Sequence, residues 1–213
     1  MKCLWNYVHG KTIGVTGSSG SKITAKLIHY ILKENNNNCY FIDSETSSIL
    51  HKIHQMSEET IIVLELNSIQ LLGIQISPNI SIITNLSEEN YEQHQDFEEY
   101  MLSNKNMLNF QNKNGILVLN YENNLTRYMG AEANGKVIYY SKNTKLENGI
   151  IYDNGIIKLC EDGVRRHIMD TKNIKLFKDL NFENICAAIA ATTSLVEPEI
   201  QIRAINKFDE NCI

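Results

Sequence analysis

The stretch that decides the fold is Gly14-Val15-Thr16-Gly17-Ser18-Ser19-Gly20, which follows a short apolar strand and runs directly into a helical pattern. A glycine-rich turn in this setting presents backbone N–H groups and a helix start, which together favour an anion. In loops that hold nucleotide phosphates, a lysine follows the last glycine and a hydroxyl residue follows the lysine. Here Ser21 stands in the lysine position and Lys22 in the hydroxyl position. The loop, residues 16–22, is therefore predicted to hold a nucleotide without its usual charge, and a plain tight turn is the alternative.

The bulk composition is that of one folded α/β domain. The chain has 213 residues, of which 43% are apolar and 21% charged. A net charge of −5 and the lack of a basic stripe argue against a nucleic-acid partner. The five cysteines are scattered without a CxxC pair, so neither a zinc site nor a disulfide framework is predicted. This cysteine usage fits a reducing cytoplasm, and neither a signal peptide nor a membrane span is expected.

Strand and helix patterns alternate over the first two-thirds of the chain, which predicts a mostly parallel sheet flanked by helices. Later strand patterns are short, and Asp153-Asn154-Gly155 is a hairpin signal because Asn-Gly suits positive φ angles. A small antiparallel sheet is therefore predicted near residues 136–170. The main predicted strands are 12–16, 39–42, 60–66, 80–84 and 116–119. The predicted helices are 22–33, 91–110, 181–194 and 198–208.

Five segments, in chain order, resemble the central ATPase domain of the Mur ligases, and within that family they are most similar to the D-glutamate-adding members. The segments are Ile13–Gly20 (family IGVTGTNG), Leu64–Leu71 (LELSSFQL), Ile83–Glu89 (LNxxxDH), Leu117–Tyr121 (VLNxDD) and Asn181–Ala188 (HNxxNxxAA, with Leu180 in place of the histidine). The resemblance implies a P-loop-type α/β fold like the family's central domain. It further implies that residues 1–213 form a single domain, and the family's N-terminal UDP-substrate domain and C-terminal ligase domain are expected to be absent.

The resemblance also implies a chemistry in which ATP phosphorylates a carboxylate and an amine then attacks the acyl phosphate. Such a step depends on charge neutralisation and positioning. The expected lysine and histidine positions carry Ser21, Asn90 and Asn104, so no catalytic residue is predicted. Glu65 matches a magnesium-binding glutamate, and the Asn90 oxygen is at best a weak magnesium ligand. Binding of ATP and Mg²⁺ is accordingly expected to be weak or absent.

Several of these positions have a second interpretation that the residues alone leave open. Asn181 and Asn184 match the family's adenine-side asparagines, but a helix N-cap and a surface residue explain them equally well. Glu65 also fits a solvated carboxylate at the end of a strand.

Two other polar clusters are weaker candidates for a metal site. Glu88, Glu89 and Glu92 are expected to favour a helix N-terminus through its dipole rather than to bind a cation. His51 and His54 are three residues apart, but the sequence offers no third metal ligand.

Three functional hypotheses follow. The first is a degenerate ATP-binding central domain, a pseudoenzyme with a binding or interaction role. The second is a nucleotide-binding component of an ATP-dependent acid–amino-acid ligase of peptidoglycan synthesis, completed in trans by other domains. The third is a decayed fragment that folds without a selected role. Without the family's two outer domains, the surface that they normally cover would be exposed. We therefore expect this surface to bind a second copy of the chain or a Mur-like protein.

Overall fold

The structure, a computed structural model, describes residues 10–43, 56–89, 91–172, 174 and 180–209. Its strands are β1 (Lys11–Thr16), β2 (Cys39–Ile42), β3 (Ile61–Glu65), β4 (Ile80–Ile83), β5 (Ile116–Asn120), β6 (Lys136–Ser141), β7 (Gly149–Asp153), β8 (Ile156–Glu161) and β9 (Val164–Asp170). Its α-helices are α1 (Ser21–Glu34), α2 (Ser68–Leu71), α3 (Phe97–Lys105), α4 (Asn124–Met129), α5 (Phe182–Thr192) and α6 (Pro198–Lys207), with a 3-10 turn at Gly130–Glu132 after α4.

The strands of the described residues form one sheet in the order β2-β3-β1-β4-β5-β6-β7-β8-β9. Pairing is parallel from β2 through β7 and antiparallel from β7 through β9, which confirms the predicted mixed, mostly parallel sheet. The antiparallel strands extend the main sheet, and β6 runs parallel to β5 because the α4 crossover returns the chain to the same direction. The predicted hairpin turn is confirmed, since Asn154 and Gly155 have φ angles of 49° and 84°.

Each face of the sheet carries its own apolar core. Ile61 and Val63 of β3 belong to the core under α1, α5 and α6, whereas Ile62 and Leu64 belong to the core under α2, α3 and α4. Successive strand side chains point to opposite faces, so a strand covered on both sides is apolar throughout. This explains why β3 is buried along its whole length.

The helix predicted at 91–110 is shorter in the structure. α3 begins after Asp96, whose backbone is extended and whose side chain accepts a hydrogen bond from the Glu99 N–H. The short helices α2 and α4 were not predicted, although Asn67 and Asn123 cap them in the same manner. No helix within the described ranges is long and apolar enough to cross a membrane.

Parallel pairing brings the carboxyl ends of four central strands to one edge of the sheet. β1 ends at Thr16 beside the glycine loop, β3 ends at Glu65, and β4 leads into Thr84. β5, the next strand along, ends at Asn120. Ligand sites of α/β sheets gather at this edge, so the functional search starts here.

Candidate functional site

Two glycines give the loop its shape. Gly17 and Gly20 have φ angles of 147° and 76°, a region that residues with a side chain rarely adopt. A Cβ at Gly17 would lie 2.1 Å from Thr84 Oγ1, and one at Gly20 would lie 2.5 Å from Asn184 Nδ2. The loop conformation therefore requires glycine at both positions.

Hydrogen bonds with the two residues that follow β4, Thr84 and Asn85, hold the loop in place. Ser18 N–H donates to the Asn85 carbonyl at 2.7 Å, and Thr84 Oγ1 donates to the Ser19 carbonyl at 2.7 Å. Tyr140 donates in turn to the Thr84 carbonyl at 3.1 Å. Burial raises the pKa of Tyr140 well above its usual value, so this phenol is a neutral donor. The loop is thus held by groups whose charge does not change near neutral pH.

The start of α1 lacks the side-chain cap that most helices of the described residues have. Gly20 is its N-cap and supplies no side-chain hydrogen bond, whereas Asn or Asp side chains cap α2, α3, α4 and α5. The first N–H groups of a helix need acceptors from outside the helix, and its dipole favours a negative one. Loop and helix start therefore fit a phosphate or another anion.

The two side chains at the start of α1 are directed to different acidic groups. Ser21 Oγ donates to Glu65 Oε1 at 3.4 Å, and Glu65 is 8% exposed. The Lys22 ammonium lies 3.8 Å from the Asp43 carboxylate, just beyond β2. Ser21 therefore occupies the junction of loop and helix, as the sequence register predicts. Lys22 is one residue further around α1, a rotation of about 100°.

Asn104 lies beside Thr16, the first residue of the loop. Its side chain is 1% exposed, Oδ1 accepts from Thr16 Oγ1 at 3.4 Å, and Nδ2 donates to the Tyr100 carbonyl at 2.9 Å. The position implied by the family resemblance, Asn104, is thus a residue that contacts the loop at Thr16. The contacts are those of a neutral amide, which brings no charge to the site.

Asn181 and Asn184 form a reciprocal capping box at the start of α5. Each backbone N–H donates to the other residue's Oδ1, at 2.9 Å from Asn181 and 3.1 Å from Asn184. Asn184 Nδ2 also donates to Thr24 Oγ1 at 3.2 Å and to the Gly20 carbonyl at 3.4 Å. The N-cap interpretation of Asn181 is confirmed, whereas Asn184 is no surface residue because it is only 4% exposed. An adenine contact by either residue stays a prediction.

The predicted acidic helix start is wrong. Glu88, Glu89 and Glu92 precede α3, and the acidic residues of its first turn are Glu98 and Glu99. The helix begins later because Asp96 caps it there.

Three predicted polar positions, Asn90, His51 and His54, lie outside the described residues. Within the described part of the chain, no group of three His, Cys, Asp or Glu side chains is arranged to hold a metal ion. Mg²⁺ bound with a nucleotide commonly uses only one or two protein carboxylates, with phosphates and water completing its shell. Glu65, beside the loop, fits that single-carboxylate role.

The sequence analysis did not identify the residues that contact the loop but lie far from it along the chain. Tyr100 Oη and Ser18 Oγ share a 2.8 Å hydrogen bond, and Ser18 Oγ also accepts from the Ser87 N–H at 3.0 Å. Thr84 was missed as well. Tyr100 is a buried tyrosine four positions before Asn104, and that helical spacing was the signal that it shares a face with Asn104.

Comparison with known proteins assigns a family to this architecture. The Mur ligase middle domain model matches residues 15–192. A UDP-N-acetylmuramoylalanine–D-glutamate ligase of Ruminiclostridium cellulolyticum is 34% identical over 199 residues, which is 93% of this chain and 43% of that protein. The enzyme of the same name from Clostridium botulinum, strain Kyoto, is 36% identical over 190 residues, or 89% of this chain and 41% of that protein.

Solved structures agree on the fold. A UDP-N-acetylmuramoyl-L-alanyl-D-glutamate–2,6-diaminopimelate ligase superposes with a TM-score of 0.70 at 18% identity, over 94% of this chain and 46% of that one. A pseudomurein peptide ligase type C from Methanothermus fervidus gives 0.67 at 17% identity, over 95% and 50%. The chain therefore belongs to the Mur ligase middle domain family, and it spans less than half the length of the curated relatives cited above.

Proposed function

We propose that this Mur ligase central domain binds ATP weakly, together with Mg²⁺, at the loop of residues 16–22 and does not transfer the phosphoryl group by itself. One observation carries the proposal: Ser21, at the junction of loop and helix, faces Glu65, while the Lys22 ammonium lies beside Asp43. The loop keeps the shape of a phosphate site and lacks the cation that normally serves it. The protein would act as a pseudoenzyme with a binding role.

The support for binding is the geometry of the loop and of the start of α1. The backbone around Ser19 and Gly20 and the uncapped first turn of α1 offer N–H groups to the phosphates, whereas the Ser18 N–H is held by the Asn85 carbonyl. Asn181 and Asn184, at the start of α5, would line the adenine side. Glu65 would hold Mg²⁺, whose remaining oxygen ligands the nucleotide and water would supply. When bound, the metal would offset charge on the phosphates.

The support for lost catalysis is the neutrality of the side chains in the charge-handling positions. Ser21 and Asn104 are neutral, and the Asn104 amide is engaged by Thr16 and Tyr100. Removal of one group that stabilises transition-state charge typically costs a factor of about 10² to 10³ in rate. Two such losses at one loop would leave little phosphoryl transfer.

Calorimetric titration with Mg·ATP tests the binding site. The wild-type protein should bind, and Gly17→Val should abolish binding, because a Cβ there would lie 2.1 Å from Thr84 Oγ1. Gly163→Val is the matched control: Gly163 also has a positive φ, 78°, but a Cβ there would meet no atom of the described residues within 4 Å beyond its own chain neighbours. Undiminished binding by a folded Gly17→Val protein would place the nucleotide elsewhere and contradict the proposal.

A second candidate is a nucleotide-binding component of an ATP-dependent acid–amino-acid ligase in peptidoglycan synthesis. It is favoured by the match to D-glutamate ligases of which this chain spans 41–43%. The test adds the remaining domains of such a relative as separate polypeptides, with UDP-N-acetylmuramoylalanine and D-glutamate. ADP release that requires this chain would support the candidate, and its absence under saturating substrates would contradict it.

A further inference from the structure

A buried histidine lies between α2 and α3, outside the loop. The His94 side chain is fully buried, and its Nε2 is 2.8 Å from Ser68 Oγ, at the first position of α2. Its Nδ1 has no hydrogen-bond partner among the described residues, and a Glu99 carboxylate oxygen lies 3.6 Å away. Burying an imidazole in this way is costly, which indicates that the ring serves its neighbours.

Those neighbours include Tyr100. The His94 and Tyr100 rings meet edge to face, with centroids 5.5 Å apart and planes at 70°, and Phe97 packs 6.1 Å from Tyr100. Edge-to-face pairs of this kind favour one relative orientation of the two rings. Because Tyr100 is only 3% exposed, its ring has little freedom to turn once His94 is in place.

Tyr100 in turn reaches the loop. Its hydroxyl shares a 2.8 Å hydrogen bond with Ser18 Oγ, which also accepts from the Ser87 N–H. Ser18 lies between the two glycines that shape the loop, and its own N–H is bound to the Asn85 carbonyl. A shift of the Tyr100 ring would therefore move the loop at Ser18. The flanking glycines make the backbone there more flexible than elsewhere in the loop.

We propose that His94 is a positioning residue for the phosphate loop, which acts by holding the Tyr100 ring against Ser18. The side-chain contacts of His94 described above are with Ser68, Glu99 and Tyr100, so we assign its effect on the loop to Tyr100. The affinity part of the inference rests on the proposed nucleotide function, whereas the effect on the free loop does not.

The first test is hydrogen–deuterium exchange of the loop in the protein without nucleotide. His94→Ala and Tyr100→Phe should each speed exchange of a peptide covering residues 14–21 by about fivefold, the effect expected from loss of one hydrogen bond. His94→Phe keeps a ring against Tyr100 and should restore slow exchange. Gln201→Ala is the control and should leave the exchange of the loop peptide unchanged; it removes a buried α6 amide that donates to the Ile189 carbonyl and to Thr192 Oγ1 of α5.

The second test separates positioning from general stability by Mg·ATP affinity. His94→Ala should weaken binding about fivefold in the wild-type background and change it little in the Tyr100→Phe background, because the link to Ser18 is already lost there. Additive losses, or loop exchange that His94→Phe fails to restore, would overturn the inference. If the wild-type protein bound no nucleotide, the proposed function would fail, and the exchange experiment would still decide the role of His94.

Discussion

Ser21 and Glu65 face each other at the junction of loop and helix, with 3.4 Å between Oγ and Oε1. A serine hydroxyl can donate one hydrogen bond to a phosphate but cannot balance its charge. The Glu65 carboxylate repels phosphate oxygens unless a cation lies between them. At the scale of single residues, the junction of loop and helix thus carries a carboxylate, Glu65, and no lysine at position 21.

This charge balance predicts that ATP binding depends strongly on Mg²⁺. Removal of Mg²⁺ with EDTA should weaken ATP binding at least about tenfold, since the phosphates then meet Glu65 without a cation. Glu65→Gln should reduce the difference between the ATP affinities measured with Mg²⁺ and with EDTA. Glu161→Gln, on β8, is the control and should leave that difference unchanged. Calorimetry with and without EDTA measures the affinities of the wild-type protein and both variants. Equal affinity of the wild-type protein in both conditions would count against a phosphate group beside Glu65.

Because position 21 carries no cation, we expect ATP affinity to rise when a lysine is placed there. Ser21→Lys with Lys22→Thr should tighten ATP binding about tenfold or more, the gain expected from a charge-assisted hydrogen bond to phosphate. Lys22→Thr alone, which removes the contact with Asp43 and adds no charge at position 21, is the control and should have little effect. The affinities are measured by the same titration. No gain in a folded double variant would mean that the register at Ser21, or the site itself, is wrong.

At the scale of elements, α5 meets α1 at the loop through Asn184. The capping box satisfies the start of α5, and the Asn184 amide also reaches the Gly20 carbonyl and Thr24. These contacts explain the two asparagines structurally without excluding them from a nucleotide site.

Substitution of the capping box separates its two roles. Asn181→Ala should lower the free energy of unfolding by about 1 kcal/mol through loss of the cap. Asn184→Ala should lower it more, because it also removes buried bonds to Gly20 and Thr24. If these residues line the adenine side, both variants should weaken ATP binding more than binding of inorganic triphosphate. Equal effects on the two ligands would assign the asparagines to structure alone.

α1 also carries a pH-sensitive group, His29, about two turns along the helix from the loop. Burial, reinforced by the charge of Lys33, lowers the pKa of His29 from 6.5 to about 4. Between these values the unfolded chain binds the proton and the folded protein does not, so stability is complete above pH 6.5 and is lost as the pH falls towards 4. Partial solvent access limits the loss to about 1–2 kcal/mol.

His29→Gln should flatten the fall in stability between pH 6.5 and 4 relative to the wild-type protein. Urea unfolding at several pH values gives the difference between the two curves, in which the other titrating groups cancel. Parallel curves for His29→Gln and the wild-type protein would contradict a buried neutral imidazole.

At the scale of the whole molecule, much of the sheet was predictable from sequence. Apolar, β-rich runs such as Ile61–Glu65 mark strands buried on both faces, and Asn154-Gly155 marks a two-residue turn. The end of α3 was not predictable, because Met107 and Leu108 beyond it are buried and continue the helical spacing of apolar residues. Self-association, expected from the sequence, stays a prediction for sedimentation velocity.

The site was predictable only in part. The family resemblance pointed to Ser21, Glu65 and Asn104, and the fold brings all three to the loop. The supports of the loop were not predictable, because the bond from Tyr100 to Ser18 joins residues 82 positions apart in the chain. Such contacts depend on how helices pack against the sheet, which local sequence patterns do not encode.

The most direct test of the account incubates the protein with Mg·ATP, measures the bound nucleotide and identifies the nucleotide recovered after release. The account predicts that ATP binds and is recovered unchanged, because the loop keeps its phosphate-binding shape while Ser21 and Asn104 supply no charge for phosphoryl transfer. Failure to bind, confirmed by the absence of a thermal shift, would contradict the nucleotide site. Release of ADP above the protein-free control would contradict the loss of catalysis.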